Sequence, residues 1–253
     1  MNCINSTKCQ TKLEFTIKED IENAVDKIIE SGLPLWAVVN NAGISHYSLI
    51  EWGNDIDVFE KMFSVNLFGL VRITKMCLPL LRLSKDGVIN MSSVTGRFSF
   101  SGLTAYCMTK FSVRAFSDGL RRELAGHQVK VIALEPNLYR TSITDYDILA
   151  KSIDSIWDQT DDEVKQFYGG ENYKEKFKLR LKHSLDIARP EIYEVIDAQQ
   201  EAVTNIDPEH YYRLAGPGER PCLWMLELMP DLVVDYCLTG TIWKRILRFF
   251  STK

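Results

Sequence analysis

Apolar positions in the first half of the chain alternate between two spacings. From Thr16 to Gly32 they recur at helical intervals: Ile21, Val25, Ile28 and Ile29 share one face, behind a capping box of Thr16 and Glu19 and ahead of a closing Gly32. Residues 35–39 (LWAVV) form an unbroken apolar run between turn residues, the pattern of a strand buried on both faces. Helical spacing returns over 56–83 and 104–125, and short β-branched runs lie at 87–93 (GVINMSS) and 128–134 (QVKVIAL). This alternation of helix and strand predicts right-handed crossovers and an α/β fold with a doubly wound parallel sheet. Past residue 150 charged amphipathic stretches, punctuated by Gly169, Gly170 and Pro190, predict helices too polar to span a membrane. The stretch 222–250 is the most membrane-like, but Glu227, Pro230, Asp231 and Asp235 interrupt it, so an uncharged span of about 20 residues is absent. Trp243, Ile246, Leu247, Phe249 and Phe250 beside Lys244, Arg245 and Arg248 fit either an interfacial helix or a core-docked C-terminal one.

Composition sets the scale of the fold. A chain of 253 residues, 45% hydrophobic and 25% charged, holds enough apolar material for one buried core. We divide it into a core over 1–150 and a helical cover with a tail over 151–253, parts of the same domain. A net charge of -4, with basic residues dispersed, offers no field for phosphate backbones and excludes nucleic acid as a partner. Cys3, Cys9, Cys77, Cys107, Cys222 and Cys237 lie far apart without C-x-x-C spacing, so free thiols are expected. His46, His127, His183 and His210 are equally scattered, and no metal site is expected. The start, MNCINSTKCQTK, lacks the apolar core of a signal peptide.

In a doubly wound sheet, ligands sit beyond the carboxyl ends of the strands. Three polar sets fall there: Asn40 to Gly43 (NNAG), Ser92 with Ser93, and Glu135 to Thr141 (EPNLYRT). Tyr106 and Lys110 are four residues apart, one helical turn on one face. A phenol with an ordinary pKa of about 10 is a poor base at neutral pH, and a neighbouring ammonium is expected to lower it. Ser93, thirteen residues before Tyr106, is placed to hold the same substrate oxygen, and Asn66 to relay protons through water.

These residues resemble the short-chain dehydrogenase/reductases. NNAG, VNLFG, the Ser93 to Tyr106 interval and YCMTK match that family's pattern, and the segments 65–82, 92–124 and 207–235 are similar to its retinol and 17β-hydroxysteroid dehydrogenase branch. The resemblance implies a Rossmann-like fold, with Tyr106 as general acid/base, Lys110 lowering its pKa and holding the nicotinamide ribose, Ser93 orienting the reacting oxygen and Asn66 supporting the relay. It implies NAD or NADP as cofactor, with Glu14, Asn40, Ala42 and Gly43 on the adenine and ribose side and Pro136 and Thr141 at the nicotinamide end. The implied substrate is a bulky apolar alcohol or ketone, retinoid or steroid, beneath the cover over 151–253, where Tyr168, Tyr173 and Tyr193 are read as packing residues. An intracellular protein attached to the endoplasmic reticulum membrane through 222–250 is implied as well.

The chain departs from the pattern at three places. Glu14 stands where Asp is common, and Asn137 follows Pro136 where Gly is usual; asparagine tolerates left-handed backbone, so the turn is expected to persist. No glycine precedes Gly32, so the glycine-rich phosphate loop and the first two strands of the family are absent from the sequence. The expectation is an N-terminally truncated Rossmann-like sheet with strand 35–39 as an exposed apolar edge, from an alternative start, an incomplete gene model or a degenerate relative. A second reading follows: a catalytically silent truncated isoform or relative that acts as a dimerisation partner of full-length family members, in a homo- or heterodimer, through the helices at 56–83 and 104–125.

Overall fold

The computed structural model describes residue 14 and residues 16–239. Helix α1 (Lys18–Glu30) turns Ile21 and Val25 inward and leaves Ile29 exposed. It ends at Ser31, and Gly32 takes the expected left-handed turn at φ +65. The expected capping box does not form. The helix starts one residue later than the box requires, with Ile17 as the N-cap, so Thr16 lies outside the capping position and its Oγ1 donates to Glu14 Oε1 at 3.0 Å.

Strand β1 (Ala37–Asn40) is followed by α2 (Asp57–Phe63), a π-helical stretch Ser64–Gly69, α3 (Leu70–Ser84), strand β2 (Gly87–Met91), α4 (Thr104–Glu123) and strand β3 (Lys130–Pro136). The run Asp57–Ser84 is long and apolar enough to cross a membrane by length and composition. In this fold it buries Met62, Leu70, Thr74, Cys77 and Leu81 within the protein. Beyond it come α5 (Tyr146–Asp158), α6 (Asp162–Tyr168), α7 (Glu171–Asp186), α8 (Tyr193–Thr204), strand β4 (Tyr211–Leu214), α9 (Glu219–Leu228) and α10 (Asp231–Thr239). Trp243 and the tail residues after it, like Cys3 and Cys9, lie outside the described residues.

Among the described residues the sheet has four parallel strands in the order β1-β2-β3-β4. Successive side chains face opposite sides, so Val88 and Val131 join Val25, Cys77, Leu81 and Leu120 on one face, while Ile89 and Ile132 join Val195, Ala198 and Ala202 of α8 on the other. β2 and β3 are covered on both faces, which explains why their sequences read as continuous apolar runs. β1 is the edge expected from the sequence, with Val39 exposed.

β4 is the element the sequence reading missed. Its four residues alternate half-buried and buried, too short a run to stand out, and they pair with β3 through Leu134–Tyr212. The region after 150 is thus more than a helical cover, since α8 and β4 complete the sheet layer. α5 and α7 carry a separate cluster of Leu149, Ile153, Trp157, Phe177 and Leu181 around Trp52, against which Tyr168 and Tyr173 pack; Tyr193 lies outside it, 59% exposed.

Candidate active site

The loop after β1 meets two helices at Asn66. The helical run slips into a π turn over Ser64–Gly69, a local expansion that re-aims side chains and recurs at functional positions. Asn66 is 2% exposed; its Oδ1 accepts the Ile44 N–H at 2.8 Å, and its Nδ2 donates to the Ile44 carbonyl at 2.9 Å and to Thr109 Oγ1 at 3.1 Å. Both amide hydrogens are therefore committed, and the side chain fastens the NNAG loop to α4. Gly43 lies in the same corner: a Cβ there would sit 3.4 Å from Asn66 Oδ1 and 3.7 Å from Lys110 Nζ.

Tyr106 and Lys110 share one face of α4, as their spacing requires, with Lys110 Nζ 5.4 Å from the centre of the Tyr106 ring. Lys110 is 4% exposed, and its Nζ donates to the Met91 carbonyl at 2.8 Å. The expected lowering of the phenol pKa does not appear. Burial pushes Tyr106 above its ordinary value, Cys107 acting in the same direction, and burial lowers Lys110 from 10.5 to about 8. Loss of water penalises the charged form of each group more than their proximity favours it.

The lysine shift has a sign that can be measured. The folded chain binds fewer protons at Lys110 than the unfolded chain between about 8 and 10.5. Stability from this group therefore increases as pH rises through that window and is lost as pH falls through the folded pKa. Denaturant unfolding of the wild type should gain stability relative to Lys110→Met across it, by at most about 1.4 kcal/mol per pH unit. Parallel curves for the two proteins would contradict a buried, destabilised ammonium.

Ser93 lies at the carboxyl end of β2, 7% exposed; its Oγ donates to the Pro136 carbonyl at 3.2 Å and accepts the Thr95 N–H at 3.2 Å. Ser92, whose role the sequence did not reveal, donates to the Lys110 carbonyl at 3.1 Å, and Thr109 donates to the Tyr106 carbonyl at 2.7 Å. Gly96 makes this contact possible. A Cβ there would stand 2.8 Å from the Lys110 carbonyl oxygen and 2.8 Å from Ser92 Oγ, so Gly96→Ala must push α4 off the turn that carries Ser93. We expect it to cost roughly 1–3 kcal/mol, read as a fall in Tm, together with lost turnover; an unchanged Tm would mean that the backbone yields freely.

The remaining nominated residues divide. The Asn40 side chain is turned into the sheet, donating to Thr74 Oγ1 at 3.0 Å and Asn90 Oδ1 at 2.8 Å, while Asn90 in turn donates to Ser117 Oγ at 2.9 Å. This buried polar chain was not foreseen, although an asparagine inside the apolar run 87–91 was its visible signal. Pro136 meets Ser93 as described, and the Thr141 side chain closes a capping box with Thr144. Glu14 is exposed and engaged locally with Thr16 and, through its N–H, with Asp20. Asn137 does not take the expected left-handed turn, since Lys85 and Gln128 are the described non-glycine residues with positive φ. Instead its Nδ2 donates to Glu219 Oε2 at 2.9 Å, an interaction that glycine lacks.

Val38, Val39, Ala42, Val65, Leu70 and Ile73 line an open groove of about 470 Å³ beside the free edge of β1. This largely apolar slot, which Asn40 and Asn41 also line, suits the flat, weakly polar end of a dinucleotide. The pyrophosphate is assigned no holder among the described residues.

A sequence profile described as short chain dehydrogenase matches residues 5–150. Retinol dehydrogenase 7 of Mus musculus is 37% identical over 228 residues, 89% of this chain and 71% of that protein. 17-beta-hydroxysteroid dehydrogenase type 6 of Bos taurus is 34% identical over 230 residues, 90% of this chain and 71% of that protein. Among solved structures, a short-chain dehydrogenase from Streptomyces avermitilis superposes with a TM-score of 0.66 at 22% identity, covering 94% of this chain and 79% of that one.

Proposed function

We propose that this chain, which belongs to the short-chain dehydrogenase family of oxidoreductases, interconverts a bulky apolar alcohol and its carbonyl compound, in the class of retinoids or steroids. The observation that carries the reading is the convergence of Asn66, from the π turn, and Lys110, from α4, on Gly43 of the loop after β1, with the Tyr106 ring beside the Lys110 ammonium. The names of the two relatives support the substrate class. A nicotinamide cofactor, NAD or NADP, would supply the hydride acceptor or donor, with Lys110 and Tyr106 beside its ribose, Ala42 and Gly43 beneath it, Glu14 and Asn40 toward the adenine side, and Pro136 and Thr141 toward the reacting end.

The proton chemistry falls to the chain itself. Burial keeps the Tyr106 phenol protonated, so Tyr106 is poised to give a proton to a carbonyl oxygen and to take it back from an alcohol. Ser93 offers a second hydroxyl to that oxygen. Lys110, held on the Met91 carbonyl, places its ammonium over the Tyr106 ring face, and Asn66 keeps the loop carrying Gly43 against it.

A second reading rests on a separate observation. Phe68, Met108 and Phe111 are 49%, 45% and 41% exposed on the helices nominated for pairing, as suits a partner subunit of a catalytically silent relative. One experiment separates the two readings. The purified chain is titrated with NAD and NADP, then given retinol or a steroid alcohol while nicotinamide absorbance and carbonyl product are followed. Saturable nucleotide binding with turnover supports the enzyme; retained self-association without nucleotide affinity supports the silent partner.

Membrane attachment at the endoplasmic reticulum, through 222–250, belongs to the same proposal. On α9 and α10, Trp224, Leu228 and Leu232 are 60%, 66% and 80% exposed, suited to an interfacial position. Deleting residues 222–253 should abolish co-flotation with liposomes, and unchanged flotation would remove this part of the reading.

A further inference from the structure

Ser93 has a single hydroxyl proton, and in this structure it is given to the Pro136 carbonyl. The residues on either side of Pro136 are both tied to helix α9. On one side Glu135, 0% exposed, accepts Arg97 Nε at 2.6 Å, and the same guanidinium reaches Glu227 near the end of α9. Arg213 of β4 also pairs with Glu227, at 2.8 Å. On the other side Asn137 Nδ2 donates to Glu219 Oε2 in the first turn of α9, and that same oxygen accepts the Gly216 N–H at 2.8 Å. The two carboxylates are eight residues apart, about 12 Å along the helix. α9 buries none of its own residues, so charged tethers, rather than an apolar face, seat it on the protein.

We propose that Glu227, through Arg97 and Glu135, and Glu219, through Asn137, are positioning residues: α9 clamps both flanks of Pro136 and thereby sets the direction of the Ser93 hydroxyl. The inference rests on the enzymatic reading for its consequence in turnover, but not for its structural content. A hydroxyl that must change partner, from a carbonyl to a substrate oxygen, is sensitive to small displacements of the carbonyl it leaves. Loosening α9 spreads the Ser93 rotamers and removes this preset geometry, an effect on the reaction step and not on substrate uptake.

The test compares wild type, Glu227→Gln, Glu227→Ala and Glu219→Ala/Glu227→Ala. Each leaves the buried Arg97–Glu135 pair intact, so the fold is retained. Amide hydrogen exchange is resolved at Thr95, whose N–H is bonded to Ser93 Oγ, at Asn137, and along α3 as an internal control. The expected result is faster exchange at Thr95 and Asn137 in the double variant, with α3 unchanged. kcat should fall by roughly tenfold at constant KM, and Glu227→Gln, which keeps an acceptor for Arg97, should restore most of it. Faster exchange in α9 alone, or exchange coupling with unaltered kcat, overturns the proposal. If the wild type shows no turnover, the enzymatic reading fails by itself, and the exchange at Thr95 and Asn137 still decides whether α9 holds Ser93.

Discussion

Tyr106→Phe is expected to lower kcat by roughly 10²–10⁴-fold, the usual contribution of a positioned acid/base group, with little effect on folding. The phenol oxygen accepts or donates no hydrogen bond among the described residues, so its removal breaks no internal contact. The ring stays, and with it the Lys110 ammonium 5.4 Å from its centre. Tm should therefore move by no more than the change equivalent to about 0.5 kcal/mol. Turnover within a factor of about ten of wild type would remove Tyr106 as the proton donor and acceptor, because so small a loss lies below the range for such a group.

Asn66→Ala carries the largest expected loss of stability. Three hydrogen bonds vanish, and the Ile44 N–H and carbonyl are left facing a methyl group in a buried corner. Each unmet group costs about 1–3 kcal/mol, and we expect a total of about 3 kcal/mol after relaxation. For a domain of this size that corresponds to a fall in Tm of about 6–12 °C. Thr109→Val is the comparison, since it leaves the two Ile44 bonds in place and removes the Asn66 contact together with the Thr109 bond to the Tyr106 carbonyl, for a cost of about 1–2 kcal/mol. Equal, small losses for both variants would show that the loop carrying Gly43 is held by something other than Asn66.

The two variants draw on different parts of what the chain discloses. That Tyr106 and Lys110 face one another follows from helix geometry alone, because residues four apart share a face wherever the helix lies. The strands at 35–39, 87–93 and 128–134 were legible as continuous apolar runs, and these survive as β1, β2 and β3 with ends shifted by at most two residues; burial on both faces accounts for β2 and β3, whereas β1 is an edge with Trp36 and Val39 exposed. β4 was not legible, since four residues have too few positions to show a period, and its place is decided by β3 beside it.

Asn66 shows the limit more sharply. Its family motif marked it, but the π turn that turns it toward Ile44 and Thr109 is a compromise between helix and loop that no local preference encodes. The same holds for the direction of the Tyr106 shift. Spacing placed an ammonium near a phenol; burial, which depends on every neighbour at once, set the sign.

By itself, then, the sequence determined the periodic features: an α/β order, three apolar strands and a helix carrying tyrosine and lysine on one face. Each of these repeats within a few residues, so local geometry is enough to specify it. The tertiary structure alone decided that Ser93 gives its proton to Pro136, 43 residues away, and that Arg97 reaches Glu227, 130 residues away. Contacts across such distances are selected by the collective packing of sheet and helices, where the burial of one group changes the charge, the partner and the direction of the next.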